Sequence, residues 1–301
     1  MRLGYNTNGM ANHDPLQAIE LLAATGYESV ALTVDHLLLS PRSADRTAQL
    51  HQIHERLKRY SMASVVETGA RFLLNPNQKH FPTLLEPNPT EAQQRIDFLK
   101  YCIDVAVTLE SDCVSIWSGI KPAGSNFQEA IDRLASNLKV VLEYAEEQGM
   151  DIGFEPEPGM LIDTTGRFER LIHMVDSPRL KMTMDIGHLF CLSEVPIAQY
   201  IEKWADRIVN VHIEDMCAGV HEHLMFGEGQ IHFPPVIESL HEIGYDQGVH
   251  IELSRHSHNA SEIVAQSFEF LSPIIADVKS CLLYTSPSPR DATLSRMPSS
   301  A

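Results

Sequence analysis

A chain of 301 residues is long enough for one large barrel or two ordinary domains. With 44% hydrophobic and 21% charged residues its composition is that of an ordinary globular protein, which excludes a disordered or fibrous one. Twenty-three basic against forty acidic residues leave a formal charge of −17, which repels phosphate backbones and anionic lipid, so no nucleic acid and no membrane is expected as a partner.

Along the chain, short β-rich runs alternate with longer segments whose apolar residues recur at three-and-four spacing, the pattern of repeated βαβ units around a parallel sheet. The opening MRLGYNTNGM lacks the apolar run of a signal peptide and instead supplies a first strand over 3–8, followed by a helix over 14–25. Further strands are predicted at 29–34, 63–68, 112–117, 151–155, 180–185, 207–213 and 249–253. Helices are predicted at 43–60, 90–109, 126–148, 165–175, 195–205, 233–243 and 259–278. Gly26, Gly149 and Gly244 each stand just after a helical pattern, where a left-handed residue caps the C-terminus. Eight strands and eight helices predict an α/β fold, a (β/α)₈ TIM barrel, as a single domain over 1–278.

Two long segments follow strand ends: the proline-containing 69–89 and the Gly- and His-rich 214–232. Both lie on the face where barrel enzymes keep their sites. From 279 onward Ser, Pro and Thr replace the periodic pattern, so 279–301 is excluded from the fold as a disordered or non-native tail. No stretch reaches the roughly eighteen apolar residues of a membrane span. The five cysteines are widely spaced without a CxxC, which signals neither a disulfide framework nor a thiolate zinc site. The expected location is cytoplasmic.

Chemistry concentrates where strands five to eight should end. Glu155 in FEPEPG, Asp185 in MDIGH, His212 in NVHIED and Glu252 in HIELS each follow an apolar or β-branched run. Each would therefore project from a strand's C-terminal end into the barrel mouth. Three carboxylates held that close would repel one another and drive their pKa values up, so a divalent cation is the economical explanation for the set. Oxygen-rich ligation with one imidazole suits Mn²⁺ first, with Mg²⁺, Co²⁺ and Zn²⁺ as alternatives.

The succession E-P-E-P-G, D-I-G-H, V-H-I-E-D, G-E-G and I-E-L resembles the xylose isomerase-like TIM barrel superfamily. That group comprises sugar phosphate isomerases and epimerases, including the ketose 3-epimerases and, more remotely, endonuclease IV. The resemblance spans roughly residues 1–278. It implies that Glu155, Asp185, His212 and Glu252 ligate the metal, and that Glu155 and Glu252 are also the acid/base pair on opposite faces of a small polyhydroxylated substrate. One carboxylate removes a proton next to a carbonyl, an enediolate forms, and the other returns the proton to invert the centre. It further implies that His188 contacts substrate hydroxyls, or else orients the metal carboxylate. The epimerases carry an arginine shortly after the strand-seven histidine, whereas EDMCAGVHEH here has none.

Other residues are candidates for the substrate pocket. Alternation puts Glu157 on the same side as Glu155, as a neighbour of the ligands or a substrate contact. His223, and less so His221, precede the G-E-G of the long loop and would face the site. Glu67 ends strand three and His36 follows strand two; either could line the pocket or be a buried hydrogen-bonded residue. His256 and His258 are read as helix-capping or surface residues.

A trinuclear nuclease would need histidines at the ends of strands three and four, which read VVETG and SIWSG. An amidohydrolase would need HxH at the end of strand one, which reads YNTNG. A lyase or dehydratase acting on a polyol or inositol-type ketone needs the same metal and the same proton abstraction, and a non-catalytic metabolite-binding barrel needs no metal at all. The absence of a glycine loop for phosphate after strands seven and eight favours a non-phosphorylated substrate. A homo-oligomer is compatible with all of these.

Overall fold

The computed structural model describes residues 1–285, with side chains as far as 280. Eight parallel strands close on themselves: β1 (Arg2–Asn6), β2 (Ser29–Thr33), β3 (Ala63–Glu67), β4 (Val114–Trp117), β5 (Ile152–Glu155), β6 (Leu180–Asp185), β7 (Ile208–Ile213) and β10 (Gly248–Ile251). The closing contact pairs β1 with β10, Leu3 opposite Val249 and Tyr5 opposite Ile251. Strands β2, β4, β5, β7 and β10 are buried at every position, as befits parallel strands covered on both faces. The TIM barrel expected from the sequence is the fold found.

The helices between them are α1 (Pro15–Thr25), α2 (Arg46–Tyr60), α3 (Pro89–Leu109), α4 (Phe127–Gln148), α5 (Thr165–Val175), α6 (Ile186–Cys191), α7 (Ile197–Lys203), α8 (Phe233–Glu242) and α9 (Ala260–Thr285). Their ends follow local chemistry. Asn126 caps α4 in a reciprocal box with Glu129, and Gly26, at φ +112°, ends α1 by donating its amide to Ala23 and Leu22 carbonyls. No helix among the described residues is long and apolar enough to cross a membrane.

Three differences from the sequence reading matter. The helix expected over 195–205 is found as α7, but a further short helix, α6, precedes it, because Asp185 both ends β6 and caps α6 through the His188 amide, so helix starts at once. The segment after β7 is not an open loop: β8 (Asp215–Cys217) and β9 (Val220–Leu224) pair as an antiparallel hairpin. Finally, α9 runs on past the boundary expected at 278 to Thr285, and residues 286–301 lie outside those described.

A single carboxylate anchors the hairpin. Buried Asp215 accepts amides from Met216 and Ile231 at Oδ1 and from Gly227 and Gly229 at Oδ2, at 2.9–3.0 Å. Gly229 has to be glycine there, since a Cβ would lie 2.3 Å from Asp215 Oδ1. This fastens the Gly- and His-rich segment against the barrel mouth.

Candidate metal centre and active site

Parallel pairing fixes the heights at which the late strands end. Asp185 is in register with His212, and Ile213 with Ile251, which sets Glu252 at the rim beside them. The ligand atoms of Glu155, Asp185, His212 and Glu252 all lie within 4.8 Å of one another. His212 Nδ1 is central to the group, 2.7 Å from Glu252 Oε2, 3.0 Å from Glu155 Oε1 and 3.9 Å from Asp185 Oδ2. The four residues singled out in the sequence are thus brought together at one point.

Behind His212 runs a chain of buried hydrogen bonds. Its Nε2 donates to Glu67 Oε1 at 2.9 Å, and Asn210 Nδ2 donates to the same oxygen at 3.1 Å. Asn210 Oδ1 accepts from His250 Nδ1 at 2.7 Å, and Ser29 donates to His250 Nε2 at 2.9 Å. With Nε2 committed as a donor, Nδ1 is left to point its lone pair into the carboxylate cluster, the tautomer a metal ligand needs.

The electrostatics of the group follow from burial and crowding. Burial, opposed by His212, pushes Glu155 up to about 8. Burial would raise Glu252 too, but His212 outweighs it and holds this carboxyl well below its usual range. For Asp185, likewise, burial is overcome by His188, His223 and His212, and the net shift is downward. Burial alone would lower His212, yet Glu155, Glu67 and Glu252 drive it well above its ordinary value. A proton on His212 and a cation at its Nδ1 are alternative ways to balance the same three carboxylates. The residues fit a divalent cation: Asp185 Oδ2 is buried without any hydrogen-bond partner, facing both His212 and the imidazole of His188.

A cavity of about 260 Å³ opens above the cluster, lined by Glu155, Glu157, His212, His221, His223, Glu252 and Glu67 among others. His223, and His221 which the sequence ranked below it, both reach it because β9 turns their alternate positions inward. His188 does not line it. It sits behind the ligands, 3% exposed, with Nδ1 donating to the Pro156 carbonyl and Nε2 3.1 Å from His221 Nε2. His36 is a second departure: the chain after β2 turns outward, and His36 lines a neighbouring hollow of about 340 Å³ with Met10, Leu38 and Phe72. Glu67 touches the cavity, but its Oε1 is already taken by His212 and Asn210.

Further cavity residues come from outside the late strands, several of them from the segment 69–89 expected on this face. Asn8 Nδ2 donates to Glu252 Oε1 at 2.7 Å. Trp117 forms a wall, with His80 edge-on at 5.2 Å between centroids and the buried Arg95 guanidinium 4.6 Å from the ring. Arg71, Lys79 and Arg255 add positive charge to the rim. The arginine missed after β7 is thus offset by cations from other loops. A motif search anchored on β7 could not find them.

Gly187, within the DIGH motif, is a packing requirement as well. A Cβ there would fall 2.0 Å from Glu214 Oε1, a fully buried carboxylate of the segment after β7.

The family model described as xylose isomerase-like TIM barrel matches residues 19–274. An uncharacterised protein of Methanocaldococcus jannaschii is 32% identical over 205 residues, 63% of this chain and 69% of that protein. Inosose dehydratase of Lacticaseibacillus casei is 30% identical over 138 residues, 40% of this chain, and the match spans less than half of the dehydratase (46%). Among solved structures, a D-tagatose 3-epimerase-like protein superposes with a TM-score of 0.76 at 25% identity, covering 94% of this chain and all of that one.

Proposed function

Because the chain belongs to the xylose isomerase-like TIM barrel family, we propose that it is an isomerase or epimerase of a small sugar or sugar phosphate, working by proton transfer next to a carbonyl with one divalent metal, Mn²⁺ first, at Glu155, Asp185, His212 and Glu252. The observation that carries this reading is the convergence of those four ligand atoms within 4.8 Å at the C-terminal rim. When bound, the cation supplies positive charge beside the carbonyl oxygen and so acidifies the adjacent C–H.

The protein's own groups divide the remaining work. Glu252, held ionised, is the base, and Asn8 fixes its orientation from Oε1. Glu155, with its raised pKa, is suited to hold the proton that is returned from the other side. Glu67 and Asn210 keep His212 in one tautomer. Trp117 and His80 shield the reacting face from water, and Lys79, Arg71 and Arg255 attract hydroxyl or phosphate oxygens at the rim.

Proton return to the same carbon epimerises it, and return to the neighbouring carbon interconverts aldose and ketose. A second reading has a specific observation behind it, the 30% identity to inosose dehydratase: the same abstraction followed by loss of a neighbouring hydroxyl as water. The test is NMR in D₂O with a panel of ketoses, ketose phosphates and inositol-type ketones, with and without Mn²⁺. Deuterium at a carbon next to the carbonyl, dependent on Mn²⁺, is the expected result. Loss of water would turn the reading to dehydration, and no exchange with any candidate would overturn both.

A further inference from the structure

The early side of the cavity wall is backed by a buried cation that the proton transfer does not use. Arg95, on α3, is 2% exposed, and no carboxylate pairs with it among the described residues. Its Nη2 donates to the Thr68 carbonyl at 3.0 Å, while Nη1 is buried without a hydrogen-bond partner. Burial lowers its pKa only to about 10, so it stays charged at neutral pH. A charge kept from water with so few partners is costly, and an apolar side chain of similar volume would fill the space without that cost.

What the guanidinium does touch is aromatic. Its Cζ lies 4.6 Å from the centroid of Trp117 and 5.3 Å from that of Phe98. On Trp117 in turn rests His80, edge-on at 5.2 Å, and both rings line the catalytic cavity. The backbone of His80 is forced as well. Its φ is +68°, a left-handed value unfavourable for a residue with a side chain, and its amide is tied to the Arg71 carbonyl at 2.6 Å. Strain of this kind persists where the surroundings over-determine it, and it gathers at ligand sites.

The hydrogen bonds fix what His80 offers. Nδ1–H donates to the Gly69 carbonyl at 2.6 Å, which leaves the lone pair on Nε2, without a partner among the described residues. Burial, aided by Lys79, Arg95 and Arg71 against the pull of the Gly69 carbonyl, lowers the ring to about 4 and keeps a second proton off it. A neutral imidazole so held has only an acceptor left to present. An ionised carboxylate or phosphate has no proton to give it, whereas a hydroxyl has.

We propose that His80 is a specificity-determining residue that accepts a hydrogen bond from one free hydroxyl of the substrate, and that Arg95 is the positioning residue that holds it there through Trp117. This deepens the sugar reading above and rests on it. A plain packing role would need neither the charge of Arg95 nor the open lone pair of His80.

The test is binding calorimetry on the full chain with Mn²⁺, using the ketoses and inositol-type ketones of the exchange panel and, for one that binds, its singly deoxygenated forms. In wild type at least one such form is expected to bind about tenfold more weakly than its parent, because the acceptor is left unfilled. His80→Gly removes the acceptor and suits a backbone at +68°, and there the same form is expected to bind as its parent does. Arg95→Met is expected to shrink that ratio towards one, and Arg95→Lys to restore part of it. The parent phosphorylated at the singled-out hydroxyl is expected to bind wild type more weakly than the parent. Tighter binding of the phosphorylated form, no weakened form in wild type, or ratios that all survive in His80→Gly would each overturn the role of His80 and leave the sugar reading standing. A ratio kept in Arg95→Met overturns the part given to Arg95. No binding by any panel compound sinks this proposal and the sugar reading together. If His80→Gly fails to fold, His80→Asn decides, since it tolerates the left-handed backbone and is too short for the same contact; if Arg95→Met fails, a ratio unchanged in Arg95→Lys overturns the positioning.

Discussion

The two halves of the barrel mouth are built from different chemistry. The late strands β5, β6, β7 and β10 carry the carboxylates and the imidazole that converge within 4.8 Å. The early strands and their loops bring an amide, an indole and the cations of Arg71 and Lys79. Glu67 is the exception, an early-strand carboxylate that reaches across the barrel to His212. The contrast assigns charge handling to one half and recognition to the other, with Glu67 as a buried strut between them.

Substitutions can break that division, the largest effect coming first. Glu252→Gln keeps the shape of the late half and removes its base; deuterium exchange is expected to fall about 10²–10⁴-fold. A smaller loss would move the base elsewhere. Glu67→Gln tests the strut: metal affinity, measured by chelator competition, is expected to drop about 10–100-fold although the residue lies on an early strand. An unchanged affinity would return Glu67 to the recognition half. Lys79→Ala should act on recognition alone, raising KM roughly tenfold with kcat held, an effect of about 1.4 kcal/mol. A fall in kcat without a change in KM would erase the contrast at that loop.

The smallest effect concerns pH. Burial lowers His80 from its ordinary 6.5 to about 4, so the folded chain binds fewer protons there than the unfolded one between those values. The stability linked to His80 is therefore full above about 6.5 and is lost as the pH falls towards 4. Denaturant midpoints at pH 7 and pH 4.5 should show the loss in wild type and a smaller one in His80→Asn.

The late half was legible in the sequence because each ligand closes an apolar strand, and a parallel barrel sends such residues to one rim. The eight-strand alternation was legible for the same reason. The early half was legible only as the segment 69–89 on the right face. Lys79 and His80 sit there without periodicity, and the orientation of His80 depends on contacts with Trp117 and the Gly69 carbonyl. His36 shows the converse: proximity to a strand end did not put it in the cavity, because the chain turned away after β2. The hairpin was hidden because β9, VHEHL, is mostly polar and half-exposed, with too few apolar residues to show alternation.

The Asp215 anchor has a dynamic consequence. Three of its four amides come from the stretch 227–231 that follows β9, and lifting that stretch away would orphan a buried carboxylate and those three donors together. Partial opening gains nothing, so the mouth should breathe as one cooperative unit whose amides exchange with solvent at a common rate. The imidazoles of His221 and His223 then arrive over the cavity already arrayed, and a ligand entering it meets a finished wall.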